Sequence, residues 1–396
     1  MSLSPVPQAE NQPEPEAETQ SDAQFEAQSD ALTVPGIVRA STAELPWFVS
    51  ETPDWSWQRA EAAGAPADID EVRVFEATTP EVETLAGQPP APYRAPGALV
   101  ADGPNIATAN GPSPATIRSY DGEGQVIVVI DDGTSPFYDQ SNTIWSYDFS
   151  GSNDRDASVE TVNSHGSWVA QAALAEASAA GIIHLKVFPD NGDGASTRDI
   201  EEALRFSETL AGVFDIAAVN LSLGFGNARQ TTLTSLSDEF ARLDDLGVIS
   251  IAAAGNDGQR YADGVNVIAA DPNVVSVAAV DQNGNLAGFS QTSDTLVDVA
   301  ATGVGVRVET TSGAFGFVNG TSFAAPEVSG IAARLSQASQ ELLGETLTNE
   351  ELIAILNATG TEVGGADVPY LEAQGDAAVA HFLSNLPLYD DDPFVA

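Results

Sequence analysis

Four short runs of small residues hold side chains that could do chemistry together. Ser322 lies in Asn319-Gly320-Thr321-Ser322-Phe323-Ala324-Ala325-Pro326, ahead of an Ala- and Val-rich stretch that can continue as a helix from Glu327 to Ser339. Pro326 suits the first turn of that helix, where a missing N–H is no loss. Ser322 then stands near a helix N-terminus, where free N–H groups and the helix dipole favour developing negative charge. That position serves a nucleophile well, although an N-cap is the commoner use of such a serine. The chain has only three histidines. His184 falls inside an apolar run and His381 inside an apolar terminal helix, so both read as structural. His165 sits in Asn163-Ser164-His165-Gly166-Ser167, a small polar turn where a carboxylate and a hydroxyl could both reach the ring. Asp131-Asp132-Gly133 ends an apolar run, either to orient a histidine or simply to turn the chain. Asn256 follows Ala253-Ala254-Gly255; its amide can donate a hydrogen bond, or it too marks a turn.

The elements around these residues alternate. Val126–Ile130 is a continuous β-branched apolar run, the pattern of a strand covered on both faces. Similar runs recur at Ile182–Phe188, Ile216–Leu221, Val248–Ala254, Val274–Val280 and Val297–Ala300, with helical stretches at Trp168–Ala177, Thr197–Leu210 and Thr231–Asp245. The fold class is therefore α/β: a doubly wound, mostly parallel central sheet with helices on both faces. Ligand sites in such folds lie at the carboxyl ends of strands, which is where Asp131, Ser222 and Asn256 fall.

The chain has 396 residues, 58 of them acidic and 14 basic, for a net charge of −44. Self-repulsion of that size favours a soluble monomer and excludes nucleic acid and anionic membranes as partners. No uncharged apolar run reaches the length of a membrane span, so no membrane insertion is expected. Cysteine is absent, which excludes disulfides and thiolate metal sites. Residues 1–33 are Gln-, Glu-, Pro- and Ser-rich and read as disordered. Residues 34–114 mix aromatics with frequent Pro and Gly, and Glu71–Phe75 suits a short strand. This segment reads as an irregular extension wrapping a larger body, and it is a candidate propeptide. Residues 115–385 form the folded body, and 386–396 an acidic tail.

Asp-x-Gly after an apolar strand, His-Gly-Ser-x-Val-Ala, Ala-Ala-Gly-Asn and Gly-Thr-Ser-x-Ala-Ala-Pro occur in one order along the chain. Together they resemble the subtilisin-like serine proteases, the subtilases of peptidase family S8, over roughly residues 122–338. The resemblance implies a serine endopeptidase that hydrolyses peptide bonds through an acyl-enzyme. It assigns Ser322 as nucleophile, His165 as general base and then acid, Asp131 as the carboxylate that fixes the imidazole, and Asn256 as oxyanion donor beside the Ser322 N–H. It places an extended polypeptide substrate along Ser222-Leu223-Gly224 and across Ala253-Ala254-Gly255. A non-catalytic peptide-binding relative, or a protease dedicated to one co-encoded substrate, are the alternatives.

Some positions depart from the family pattern. Phe323 follows the serine where relatives carry Met, Trp168 and Glu327 stand where His is common, and Ala300-Ala301-Thr302-Gly303 replaces Ala-Pro-Gly. The family's chemistry requires no cofactor, and its usual calcium is structural. Asp190 and Asp193, within Asp190-Asn191-Gly192-Asp193, and Asp132 are candidate ligands here. Met1 begins a polar, acidic stretch rather than a basic then apolar one, so no cleaved N-terminal signal peptide is expected. Asp390–Asp392 before a short apolar end is similar to signals of proteins exported without one. Secretion is the expected location and cytoplasmic the alternative.

Overall fold

The computed structural model describes residues 112–135, 141–151, 157–158, 164–190, 194–309 and 315–386, and the backbone alone at Arg73–Val74. The expected disorder of residues 1–33, most of the 34–114 extension and the tail from residue 387 lie outside the described residues.

In chain order the elements begin with β1 (Arg73–Val74), α1 (Pro114–Ser119), β2 (Val126–Asp131), β3 (Thr143–Asp148), α2 (His165–Glu176), β4 (Gly181–Lys186), α3 (Thr197–Ala211) and β5 (Ile216–Leu221). They continue with β6 (Leu223–Gly224), α4 (Ser237–Asp245), β7 (Ile249–Ala253), β8 (Val274–Val280), β9 (Val299–Thr302), β10 (Val306–Glu309) and β11 (Phe315–Val318). The chain closes with α5 (Thr321–Leu343), α6 (Asn349–Thr359), β12 (Thr361–Glu362), β13 (Leu371–Glu372) and α7 (Gly375–Ser384).

Nine strands form the central sheet in the order β12-β13-β9-β8-β7-β5-β2-β4-β3. All neighbours are parallel except β12 and β13. Alternate side chains of β2 face opposite sides, as the period of a strand demands. Val126, Val128 and Ile130 join the core that holds Ile200, Leu204, Phe240 and Leu243 of α3 and α4. Ile127 and Val129 join the core with Val169 and Ala173 of α2 and Phe323 and Ala333 of α5. From β2 the chain runs through β3 to α2 on one face, and from β5 through β6 to α4 on the other. The crevice between the carboxyl ends of β2 and β5 is therefore the switch point of the fold. Helices α2 and α5 meet closely at Gly330, where a Cβ would stand 2.5 Å from the Ala173 carbonyl oxygen.

Some bounds differ from those expected: α2 starts at His165 rather than Trp168, β4 ends at Lys186, and β9 is Val299–Thr302 rather than Val297–Ala300. The helix expected from Thr231 begins only at Ser237. Ser237 Oγ accepts from Thr234 N–H and Thr234 Oγ1 from Leu236 N–H, so local side chains satisfy the backbone without a helical turn. Pro326, expected in the first turn, instead lies inside α5, which starts at Thr321. The reason is a distant side chain: Asn256 Oδ1 accepts the Thr321 N–H at 2.9 Å, satisfying one of the free donors that every helix start presents.

Beneath this helix is a buried charged cluster. Arg334 of α5 donates to the Tyr120 carbonyl at 2.8 Å, to Asp376 at 2.7 Å and to Glu176 at 3.1 Å, tying α2, α7 and the end of α1 to α5. Glu327 is buried nearby and accepts the Thr302 N–H at 2.9 Å. Burial, then the charges of Glu176 and Glu372, hold its carboxyl well above the usual range. A folded-state pKa above the unfolded value means that this group's stabilisation is complete in acid and is lost as pH rises through the raised pKa. Glu327→Gln keeps an acceptor for Thr302 without the charge. In a Ser322→Ala background its thermal midpoint should rise, and rise more at about pH 9 than at about pH 5; thermal denaturation at the two pH values checks this.

Candidate active site

Asp131 is the last residue of β2 and is 1% exposed. Its carboxylate accepts from the Asp132 N–H at 2.7 Å and meets His165 Nδ1 at 2.8 and 3.0 Å. An ionised Asp131 assigns the proton to Nδ1 and leaves Nε2 as an open acceptor. His165 Nε2 is buried and makes no hydrogen bond to the described residues. Burial alone would lower the imidazole pKa, but Asp131, through its charge and hydrogen bond, and then Asp132 raise it above the ordinary value.

His165 opens α2, and Ser164 is its N-cap, accepting from the Ser167 N–H at 3.1 Å. Asp132 grips the same helix start. Its Oδ2 accepts the His165 N–H at 2.9 Å, its Oδ1 the Gly166 N–H at 2.7 Å, and Ser164 Oγ donates to it at 3.0 Å. One carboxylate thus holds the imidazole ring and its neighbour holds the backbone that carries it. Gly166 permits this approach, because a Cβ there would stand 2.4 Å from the Gly133 carbonyl oxygen. Burial, then the charge of Asp131, pushes Asp132 up to about 6.

Ser322 is the second residue of α5 and is 1% exposed. Its hydroxyl donates to the Ser222 carbonyl in a long contact of 3.4 Å. Phe323 is fully buried against the His165 ring, with centroids 5.5 Å apart, so the segment bearing the serine lies against the histidine. Asn256 Oδ1 accepts from both the N–H and the hydroxyl of Thr321, at 2.9 and 2.8 Å. With its oxygen committed, the Asn256 amide has its NH₂ left to donate. Asp131, His165, Ser322 and Asn256, dispersed in sequence, are thus gathered where β2, β5, β7 and α5 converge.

The groove residues follow β5 and β7. Leu223–Gly224 is β6, and Arg73–Val74 pairs with it antiparallel, Arg73 opposite Gly224 and Val74 opposite Leu223. The short strand read over Glu71–Phe75 therefore exists at its centre, on the edge assigned to an extended peptide. Ala253 and Ala254 are buried at the end of β7, and Gly255 has φ +115° before Asn256. Asn266 was not singled out from sequence. It donates to the Ala253 carbonyl, and Gly224 leaves it room, since a Cβ there would meet its Oδ1 at 2.4 Å. Asn220, also missed, stands out only as an amide inside the apolar run of β5.

The described calcium candidates are engaged elsewhere. Both Asp132 oxygens are taken by donors at the start of α2, Asp190 pairs with buried Lys186 at 3.1 Å, and Asp193 lies outside the described residues. Among the described residues, no group of three or more acidic or histidine side chains could hold a metal ion. His184, read as structural, is buried in β4, and burial lowers its pKa to about 4, which keeps it neutral.

A family model described as "Subtilase family" matches residues 122–375, well over half of the chain. The Thermophilic serine proteinase of Bacillus sp. (strain AK1) is 32% identical over 251 residues, 60% of this chain and 58% of that protein. The Thermostable alkaline protease of Halalkalibacterium halodurans is 30% identical over 191 residues, 48% of each chain. Subtilisin Savinase of Lederbergia lenta is 29% identical over 260 residues, 63% of this chain and 88% of that protein. The matched region thus spans about half to three fifths of the first two of these relatives. A solved structure titled as a cold adapted subtilisin-like serine proteinase superposes with a TM-score of 0.52 at 27% identity, covering 64% of this chain and 88% of that one.

The Asp132 contacts yield a prediction. Asp132→Asn removes a negative charge that raises the His165 pKa, so the acid limb of the activity profile should move to lower pH. Asp132→Ala also removes the acceptors at the start of α2 and should cost about 1 kcal/mol of stability, the usual scale for a lost cap. pH profiles and denaturation midpoints of the two variants test both effects.

Proposed function

The chain belongs to the subtilase family, and from that premise we propose that it is a serine endopeptidase acting through an acyl-enzyme. The observation that carries the reading is the buried Asp131–His165 pair, whose unpartnered Nε2 lies beside the segment bearing Ser322. Ser322 Oγ attacks the scissile carbonyl as His165 Nε2 takes its proton. Asp131 remains ionised and stabilises the imidazolium that results. Charge developing on the carbonyl oxygen is met by the Asn256 NH₂ and the Ser322 N–H at the start of α5, where the helix dipole adds to both. The imidazolium returns its proton to the leaving amine. Water, activated by the same histidine, then releases the acyl group.

The substrate is an extended polypeptide that adds a strand along Ser222-Leu223-Gly224, with Ala253-Ala254-Gly255 forming the opposite wall. Backbone pairing supplies affinity with little demand on sequence. In support, β6 takes Arg73–Val74 as an antiparallel partner, so this edge has the geometry to accept an extended chain. The same contact makes Arg73–Val74 an intramolecular partner of this edge, the behaviour expected where an N-terminal extension is inhibitory. No metal ion takes part in the chemistry, and calcium bound elsewhere would act on stability.

A serine-directed phosphonate should label Ser322, and the protein should hydrolyse an unfolded protein substrate; Ser322→Ala should abolish both. Failure of the wild type to do either, after its N-terminal segment has been trimmed, sinks the proposal. Asn256→Ala should lower kcat by about 10²–10³, a loss measured for such a donor in a subtilisin rather than worked out from this site. Val74→Pro in the full chain breaks the pairing with β6, so initial rates should rise; unchanged rates would remove the extension from the groove.

A further inference from the structure

Helix α5 has a gap in its ladder at the residue that does the chemistry. Pro326 lies inside the helix and has no N–H, so the carbonyl of Ser322, four residues before it, has no helical donor. Ser222 takes that place: its hydroxyl donates to the Ser322 carbonyl at 2.7 Å. The hydroxyl is held in turn. Ser222 Oγ accepts from Asn220 Nδ2 at 2.9 Å, and Asn220 Oδ1 accepts from Ser329 Oγ at 3.2 Å, further along α5. Asn220, Ser222 and Ser329 are fully buried and Ser322 is 1% exposed. In that interior each hydrogen bond is shielded from water, and an orphaned carbonyl would be costly.

We infer that the Ser222 hydroxyl is a positioning group for the nucleophile, made necessary by Pro326. A helix whose residue at this position carried an N–H would set the Ser322 peptide from within its own ladder. Here the end of β5 sets it. The strand end that forms the groove thereby also fixes the orientation of the Ser322 backbone, and with it the direction of Oγ and of the N–H that faces the oxyanion. The inference rests on the reading of Ser322 as nucleophile and adds to it a role for Ser222 that its backbone place in the groove does not require.

The test uses the full chain as Ser222→Ala, Pro326→Ala and the double variant. The readouts are kcat and KM on a peptide substrate and the rate of phosphonate labelling of Ser322. Ser222→Ala keeps the groove backbone, so KM should hold while kcat and labelling fall about tenfold, the scale of one lost hydrogen bond. Pro326→Ala alone should keep wild-type kcat. The double variant should recover most of the loss, because replacing Pro326 restores a backbone N–H that can donate to the Ser322 carbonyl. A merely structural role for the hydroxyl would lower the melting temperature without a loss of labelling rate that Pro326→Ala reverses. Wild-type kcat in Ser222→Ala overturns the inference, as does a double variant no better than that single one. If Ser222→Ala does not fold, Ser222→Cys fills the same space with a weaker donor; its kcat should fall a few-fold, and an unimpaired kcat overturns the inference equally. A wild type that neither cleaves nor labels takes down the nucleophile reading and this one together.

Discussion

The structure depends on holding one buried carboxylate, that of Asp131, among hydrogen-bond partners. Asp131 ends a strand whose residues are all buried, and a bare charge there would cost several kcal/mol or be neutralised. It is held by the N–H of its neighbour and by the imidazole of His165, so the histidine ring and the carboxylate stabilise each other. That requirement dictates the surroundings. The start of α2 must come against the end of β2, which Gly166 allows. The histidine backbone must not drift, and Asp132 prevents this by accepting from two successive N–H groups. Burial, and then the charge of the adjacent Asp131, raises the Asp132 pKa to about 6.

The helix that carries Ser322 is held from outside itself. Asn256, after β7, takes the Thr321 N–H, and Ser222, after β5, donates to the Ser322 carbonyl. Phe323 packs on the His165 ring. A helix start positioned by its own capping would be free to shift with its first turn. Here its donors and acceptors are met by residues that follow strands of the central sheet. Groups held in this way need little reorganisation when charge develops. The cluster of Arg334, Glu176, Glu327 and Asp376 anchors the same helix deeper in the protein, and burial raises the pKa of both Glu327 and Glu176.

The groove is formed where the sheet stops. Ser222 leaves β5, and β6 presents an edge beside the crevice between β2 and β5. An exposed strand edge invites another chain to pair with it. In this protein a strand from its own N-terminal region does so, at Arg73–Val74. The property that suits β6 to a peptide also suits it to this segment, since both are recognised through the backbone.

The sequence by itself determined the layers. Short, β-branched apolar runs suit strands covered on both sides, and their bounds at Ile216–Leu221 and Val274–Val280 are those of β5 and β8. It also determined which side chains were candidates for chemistry, because small residues crowd the turns where chains approach closely, as at Gly166. Tertiary structure alone decided how those residues are held. Ser222 and Ser322 are 100 residues apart, and neither position shows in sequence that the hydroxyl of one completes the helix of the other. Asn256 moves the start of α5 to Thr321, a boundary that local propensity puts later. Glu176 and Arg334 carry no signal in sequence, and Glu327 shows only as a departure from the family pattern; their cluster forms only when the helices pack. Local patterns reflect the solvent each residue must meet or avoid. The partner of a buried polar group depends on which distant element is brought against it, and only the completed fold specifies that.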